Sequence, residues 1–208
     1  MIEVSGPTDS DANLALIDKT DYKSYVKTQS AESDTMLDMI IPSLCREFFD
    51  ETGRKFMQNV SPHTWLLDGT QTRILKLPQW PIVTVTSVET GYLASGDVTN
   101  FTVEKTLTTD DYMVRNSRGT LIRWNGKWWG GTETIRVVWT AGYTTTPAPL
   151  VRAMCEWTGI VLKRATGANW DLRAQTKGSE SKVLDPSDRP ASIVSQMRKY
   201  ATEGLGIG

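Results

Sequence analysis

The chain has 208 residues, with 23 Lys+Arg against 24 Asp+Glu and a formal net charge of -1, which excludes a general polyanion binder. Hydrophobic residues make up 39% and charged residues 23%, an ordinary globular balance, and the length suits one large or two small domains. No apolar run approaches the roughly 18 residues that span a bilayer, and no basic-then-apolar leader opens the chain, so a soluble protein made in a reducing cytoplasm is expected.

The charge is uneven. Residues 1–60 hold 6 Lys/Arg and 11 Asp/Glu, residues 61–149 hold 8 and 7, and residues 150–208 hold 9 and 6. Ends of opposite sign suit head-to-tail contact between copies, although two solvated faces would look the same. Cys45 and Cys155 each fall in a helical apolar pattern with no metal or redox spacing, so both are expected to be buried free thiols.

Residues 1–18 read as a flexible N-terminal arm, because the first part is small, polar and acidic. A short amphipathic helix follows, capped by Thr20, with Tyr22, Tyr25 and Val26 on one side. A second helix is expected from about Ser33 to Thr52, ended by Gly53. Met36, Met39, Ile40, Leu44 and Phe48 form its main apolar stripe, and Leu37, Ile41, Cys45 and Phe49 widen it. Pro42 removes a backbone donor, which predicts a kink or break near residues 38–42.

From Thr64 the apolar period changes to two. TWLLDG, TRILKL and IVTVTSVET alternate, Gly91 to Asn100 reads as a loop, DDYMVRNSRGTLIRW as a hairpin and GTETIRVVWT as the last strand. Five or six short strands predict a small antiparallel sheet or barrel. WNGKWWGG, Trp124 to Gly131, joins two of these strands. Its tryptophans suit packing on the sheet, contact with another chain, or stacking of sugars or bases.

In IRVVWTAGYTTTPAPLVRAMCEW a strand turns at Gly142 and enters a helix marked by Pro147 and Pro149. Leu150, Met154, Trp157 and Val161 form that helix's stripe. Residues 165–189 lack a sustained period and read as a long loop. Pro190 opens a last short helix with Ile193, Val194, Met197 and Tyr200 on one face. The domain reading is therefore a helical frame, residues 19–60 and 147–203, carrying an inserted β module, residues 61–146. The fold class is α+β, a helical bundle frame with the β module between its second and third main helices.

Catalytic chemistry is missing from the pattern. His63 stands alone beside Pro62, and there is no GxSxG, HExxH or Walker A loop. Asp110-Asp111 fits a turn cap better than a metal pair, and Asp9, Asp11 and Asn13 lack the glycine and glutamate of a calcium loop. No enzyme, cofactor or metal is expected.

Several pieces then occur in a telling order: ETGR (Glu51 to Arg54), LLDG (Leu66 to Gly69), LKLPQWPIVTVTSV (Leu75 to Val88), DDYMV (Asp110 to Val114), GTLIRW (Gly119 to Trp124) and VVWTAGYTTTPAPLVRAM (Val137 to Met154). From about Ala31 to Lys163 the chain resembles the tailed-phage head–tail connector family, also called adaptor or head-completion proteins. Pro42 and WNGKWWGG are particular to this sequence. The resemblance implies a structural protein of the virion neck that forms a ring, typically of twelve copies, beneath the portal protein. Such a ring extends the DNA channel, passes double-stranded DNA without sequence readout and offers a platform to the stopper or tail. The family often grips the portal through its C-terminal segment, which implies that residues 166–208 order on docking. The candidate interface residues are Trp128 and Trp129 on the tip loop, with Trp170, Leu172, Arg173, Lys177, Lys182, Arg198 and Lys199 in the C-terminal segment. Gly142, Pro147 and Pro149 form the structural joint. The alternative is a carbohydrate- or ligand-binding β module that uses the Trp128/Trp129 loop.

Overall fold

The computed structural model describes residues 1–6, 14–28, 31, 33–57, 61–94, 100–166, 174–177, 180–183 and 189–201. The chain forms two compact units, one from Met1–Asn13 and Lys55–Thr145, the other from Leu14–Arg54 and Thr146–Gly208. Among the described residues no helix is long and apolar enough to cross a membrane.

The first unit is mainly β among the described residues, with one short 3-10 turn at Asn116–Arg118. Strands β1 (Ile2–Ser5), β2 (His63–Gly69), β4 (Ile82–Leu93), β5 (Phe101–Leu107) and β8 (Gly131–Ala141) form one antiparallel sheet in the order β1-β2-β8-β4-β5. Strands β3 (Ile74–Lys76), β6 (Tyr112–Arg115) and β7 (Thr120–Arg123) form a second, in the order β3-β7-β6. Alternation explains the packing. In β8, Ile135, Val137 and Trp139 are fully buried while Thr134, Arg136 and Val138 on the other face are partly exposed. Those three side chains meet Leu67, Val88, Leu107, Leu75, Leu121 and Trp128 in one apolar core drawn from both sheets. The sheets do not close into a barrel.

Two β segments depart from the sequence reading. Ile2–Ser5 is the edge strand of the larger sheet, pairing Ile2 with Leu66 and Glu3 with Trp65, where a flexible arm was expected. Backbone pairing and the Glu3 carboxylate, 3.5 Å from His63 Nδ1 and 3.6 Å from Lys55 Nζ, hold it there. The reading of residues 7–13 as an arm falls outside the described residues. β4 also extends into the stretch read as a loop, with Leu93 opposite Phe101 of β5, a strand to which the sequence reading gave no element. The five residues between Phe101 and Leu107 are all exposed, so β5 carries no period-two burial signal.

The second unit is mainly helical, with α1 (Lys19–Val26), α2 (Asp34–Thr52), α3 (Ala148–Thr166) and α4 (Ala191–Tyr200). Asp18, not Thr20, caps α1. Its Oδ1 accepts from Asp21 N at 2.7 Å while Asp21 Oδ2 accepts from Asp18 N at 3.0 Å, a reciprocal capping box. α2 runs unbroken through Pro42. Pro42 and Asp38, whose carbonyl loses its helical partner, both lie on the exposed face, where water replaces the missing donor.

The buried face of α2 is Leu37, Ile41, Leu44, Cys45, Phe48 and Thr52. Met36 and Met39 lie outside it, contrary to the stripe drawn from the sequence. α3 buries Leu150, Met154 and Trp157 as expected, joined by Ala153, Cys155 and Thr158. Both cysteines are free and buried, and burial pushes the Cys155 thiol up to about 11. α4 buries Ile193, Met197 and Tyr200. Arg189 ties its approach to α2 through Glu47 at 2.8 Å and Glu51 at 2.9 Å, and Ser192 Oγ donates to Glu156 of α3 at 2.7 Å. A short antiparallel pair, β9 (Ala174–Lys177) and β10 (Glu180–Val183), occupies part of the stretch read as a long loop.

Candidate protein interface

The tip loop between β7 and β8 is built around Trp128. Its side chain is 0% exposed, and its Nε1 donates to the Arg73 carbonyl at 3.1 Å. Its backbone N–H donates to Thr72 O at 2.8 Å, and the Arg123 guanidinium sits 5.5 Å above its ring. Arg73 grips the start of the same loop, donating to the carbonyls of Arg123 and Trp124 at 3.1 and 2.8 Å. On the far side the chain passes so close to β2 that a β-carbon at Gly69 would lie 1.2 Å from the Trp129 carbonyl oxygen.

The loop is thus fixed by its own contacts, and it leaves Trp124 49% and Trp129 55% exposed. The two predicted contact tryptophans part company here. Trp128 belongs to the core, which removes it from any contact with another chain, because its side chain fills the apolar interior and its polar edge is already bonded. Trp129 remains a candidate, and the exposed Trp124 joins it.

The strand-to-helix joint has the local chemistry expected of it. Gly142 has φ 118 and its N–H donates to the Pro81 carbonyl at 2.9 Å, in a region of backbone space that side chains resist. The Pro147 carbonyl accepts from Leu150 N at 2.8 Å and Val151 N at 3.1 Å, so it starts α3. Pro149 lies in the first turn, where no backbone donor is needed.

Among the C-terminal candidates, Trp170, Leu172 and Arg173 lie outside the described residues. Lys177 ends β9 opposite Glu180, and Lys182 lies in β10 opposite Gln175. Arg198 and Lys199 are exposed in the last turn of α4, with Lys199 Nζ 5.1 Å from the Tyr200 ring. α4 is packed within the chain itself, so ordering on docking is not needed for residues 189–201. The same expectation for residues 167–173, 178–179, 184–188 and 202–208 concerns positions outside the described residues.

Two of the titratable groups weighed in the sequence, His63 and Asp111, have structural neighbours, and Asp9 and Asp11 lie outside the described residues. His63 is buried, 5.5 Å from Trp139 ring to ring, and faces Glu3. Asp111 closes a turn, accepting from Thr108 N at 2.9 Å. That bond, ahead of the charge of Lys105, holds its carboxyl below the usual value. Among the described residues no three His, Cys, Asp or Glu are gathered to hold a metal ion.

A fold of two units, with a β unit inserted between helices, can be compared with known structures over its whole length. The chain shares its fold with a chain of a virus-like neck. That chain comes from the neck of an empty gene transfer agent particle computed with C6 symmetry. The match covers 100% of this chain and 99% of the other, with a TM-score of 0.54 and 13% identity. A chain of the native gene transfer agent virion matches with a TM-score of 0.53, 13% identity and the same coverage. No protein-family model matches the sequence, and no curated protein does. At 13% identity the neck fold is shared while most side chains differ, so surface contacts must be argued from this chain's own residues.

Proposed function

We propose that the protein is a structural component of a virion neck, a head–tail connector. The observation that carries this reading is the full-length fold match, both units included, to a chain of a particle neck. Copies associate side by side in a closed ring beneath the portal, typically of twelve copies. The ring extends the channel through which double-stranded DNA passes and presents a platform to the stopper or tail. A chain of net charge -1 suits a conduit, since strong phosphate binding would hinder passage. Trp129, with the basic groups Lys177, Lys182, Arg198 and Lys199 and with Trp170, Leu172 and Arg173, supplies candidate contacts to the portal and to neighbouring copies. The carbohydrate- or ligand-binding alternative on the Trp128/Trp129 loop is left with Trp129 alone of that pair, because Trp128 is buried. Co-sedimentation with portal rings from the same genome tests the proposal. Retention with the portal fraction is expected, and a chain that never joins portal rings contradicts it. Monomeric behaviour of the free chain is compatible, because a portal can template the ring.

A further inference from the structure

One face of the three-stranded sheet is packed and the other is open. Leu75 and Leu121 enter the core from one side. Alternation places Ile74, Ile122 and Met113 on the opposite side, where they form one cross-strand row. Ile74 is 47% exposed, and Ile122 and Met113 are half-buried. The row two residues along contains Lys76, Thr120 and Arg115; Thr120 in the centre is buried and the two cations that flank it are exposed. Trp124 follows two residues beyond Ile122 at the opposite end. The strip therefore runs from an exposed tryptophan across apolar side chains to two cations, and none of its three strands holds an acidic residue.

The second unit has an open strip of opposite sign on α2. Met39 is 73% and Met36 40% exposed, on the side of the helix away from its buried face. Asp38, the chain neighbour of Met39 but on the other side of it from Met36, has its side chain 57% exposed. Its ion pair with Lys19, 2.9 Å long, is a surface contact at both ends and contributes little, so it can be exchanged in an assembly.

We infer that the open face of the three-stranded sheet in one copy docks onto the Met36–Met39 strip of α2 in a second copy. Apolar side chains meet apolar side chains, and Lys76 and Arg115 meet Asp38. The two patches differ, so the contact is heterologous, the kind that propagates around a closed ring. The inference rests on the ring reading above and names its contact. DNA is a poorer occupant of the sheet face, because phosphate is held by cations and polar groups and has no use for an Ile–Ile–Met row.

Interchain thiol cross-linking tests this contact. Ile74→Cys and Met39→Cys are made as separate full-length chains and mixed, and a short thiol cross-linker is applied to the concentrated free protein and to assembled particles. The native thiols are buried and give a low background. The mixture is expected to give cross-linked dimer at least about tenfold above either variant alone. Adding K76E and R115E to the Ile74→Cys chain should lower the yield about tenfold, and D38K in the Met39→Cys chain should restore it, as expected for a charge contact near 1.4 kcal/mol. A mixture no better than its components in both settings overturns the inference, as does an Ile74→Cys chain that links only to a different virion protein. If the chain is nevertheless present in particles, the neck reading survives that result. A cross-linked mixture from a chain absent from particles would leave the contact standing and remove the neck reading.

Discussion

Trp128 and Trp129 are adjacent in sequence and opposite in environment. Trp128 is enclosed by the core and bonded through Nε1, so Trp128→Ala should cost about 3–5 kcal/mol in thermal or denaturant unfolding. Trp129→Ala should leave stability within about 0.5 kcal/mol and weaken retention with portal rings. Equal stability losses would mean that the tip loop had been assigned the wrong inner ring. The sequence could not sort the two, because strand parity ends at Arg123 and the glycines of WNGKWWGG leave no period to follow. Gly142 was legible, since a glycine between an alternating strand and a proline-marked helix has few other uses. With φ 118 and an N–H bonded to Pro81, Gly142→Val should cost at least about 1–3 kcal/mol from backbone strain alone. A melting temperature equal to that of the unmodified chain would contradict the turn assigned there.

The alternating runs from His63 to Ala141 gave away most strands, and the apolar stripe of α3 gave away that helix. β1 and β5 escaped because an edge strand exposed on both faces has no apolar alternation, and β1 is held by pairing with Leu66 and Trp65. Charge also contributes at that edge. The His63 ring, with Nδ1 3.5 Å from the carboxylate, is the largest influence; aided by the charge of Lys55 and opposed by burial, it holds the Glu3 carboxyl below its ordinary value of 4.5. A depressed carboxylate stabilises the folded state fully above the unfolded value, and the gain is lost as pH falls through the lower folded value. Protection of β1 and β2 amides in hydrogen exchange should therefore decline below about pH 4.5, and Glu3→Gln should flatten that decline. An unchanged profile in the variant would show that Glu3 does not hold the edge. In α2, apolar residues nearly all round the helix hid which side is buried, and Met36 and Met39 were assigned inward. Pro42 did not break the helix, because its missing hydrogen bond faces water. Pro42→Ala restores a donor to the Asp38 carbonyl and should stabilise the protein by up to about 3 kcal/mol. A loss of stability on melting would mean that the proline ring packs on something essential.

For the whole molecule, the insertion of a β unit into a helical frame was readable from the change of apolar period at Thr64 and the return at Gly142. The chain divides into two compact units, Met1–Asn13 with Lys55–Thr145 and Leu14–Arg54 with Thr146–Gly208. The interface was less legible. Exposure depends on which neighbours cover a side chain, and the sequence shows periodicity without showing coverage. Hence Trp124, Ile74 and Met39 emerge as surface residues only in the folded chain. The proposed assembly role draws on the exposed apolar side chains of both units and on the fold shared with a chain of a particle neck. Imaging of particles from the genome that carries this chain, with a label fused to its C-terminus, measures this most directly. The account predicts a ring of label density at the head–tail junction, adjoining the portal. Particles with complete necks and no label at that junction would contradict it.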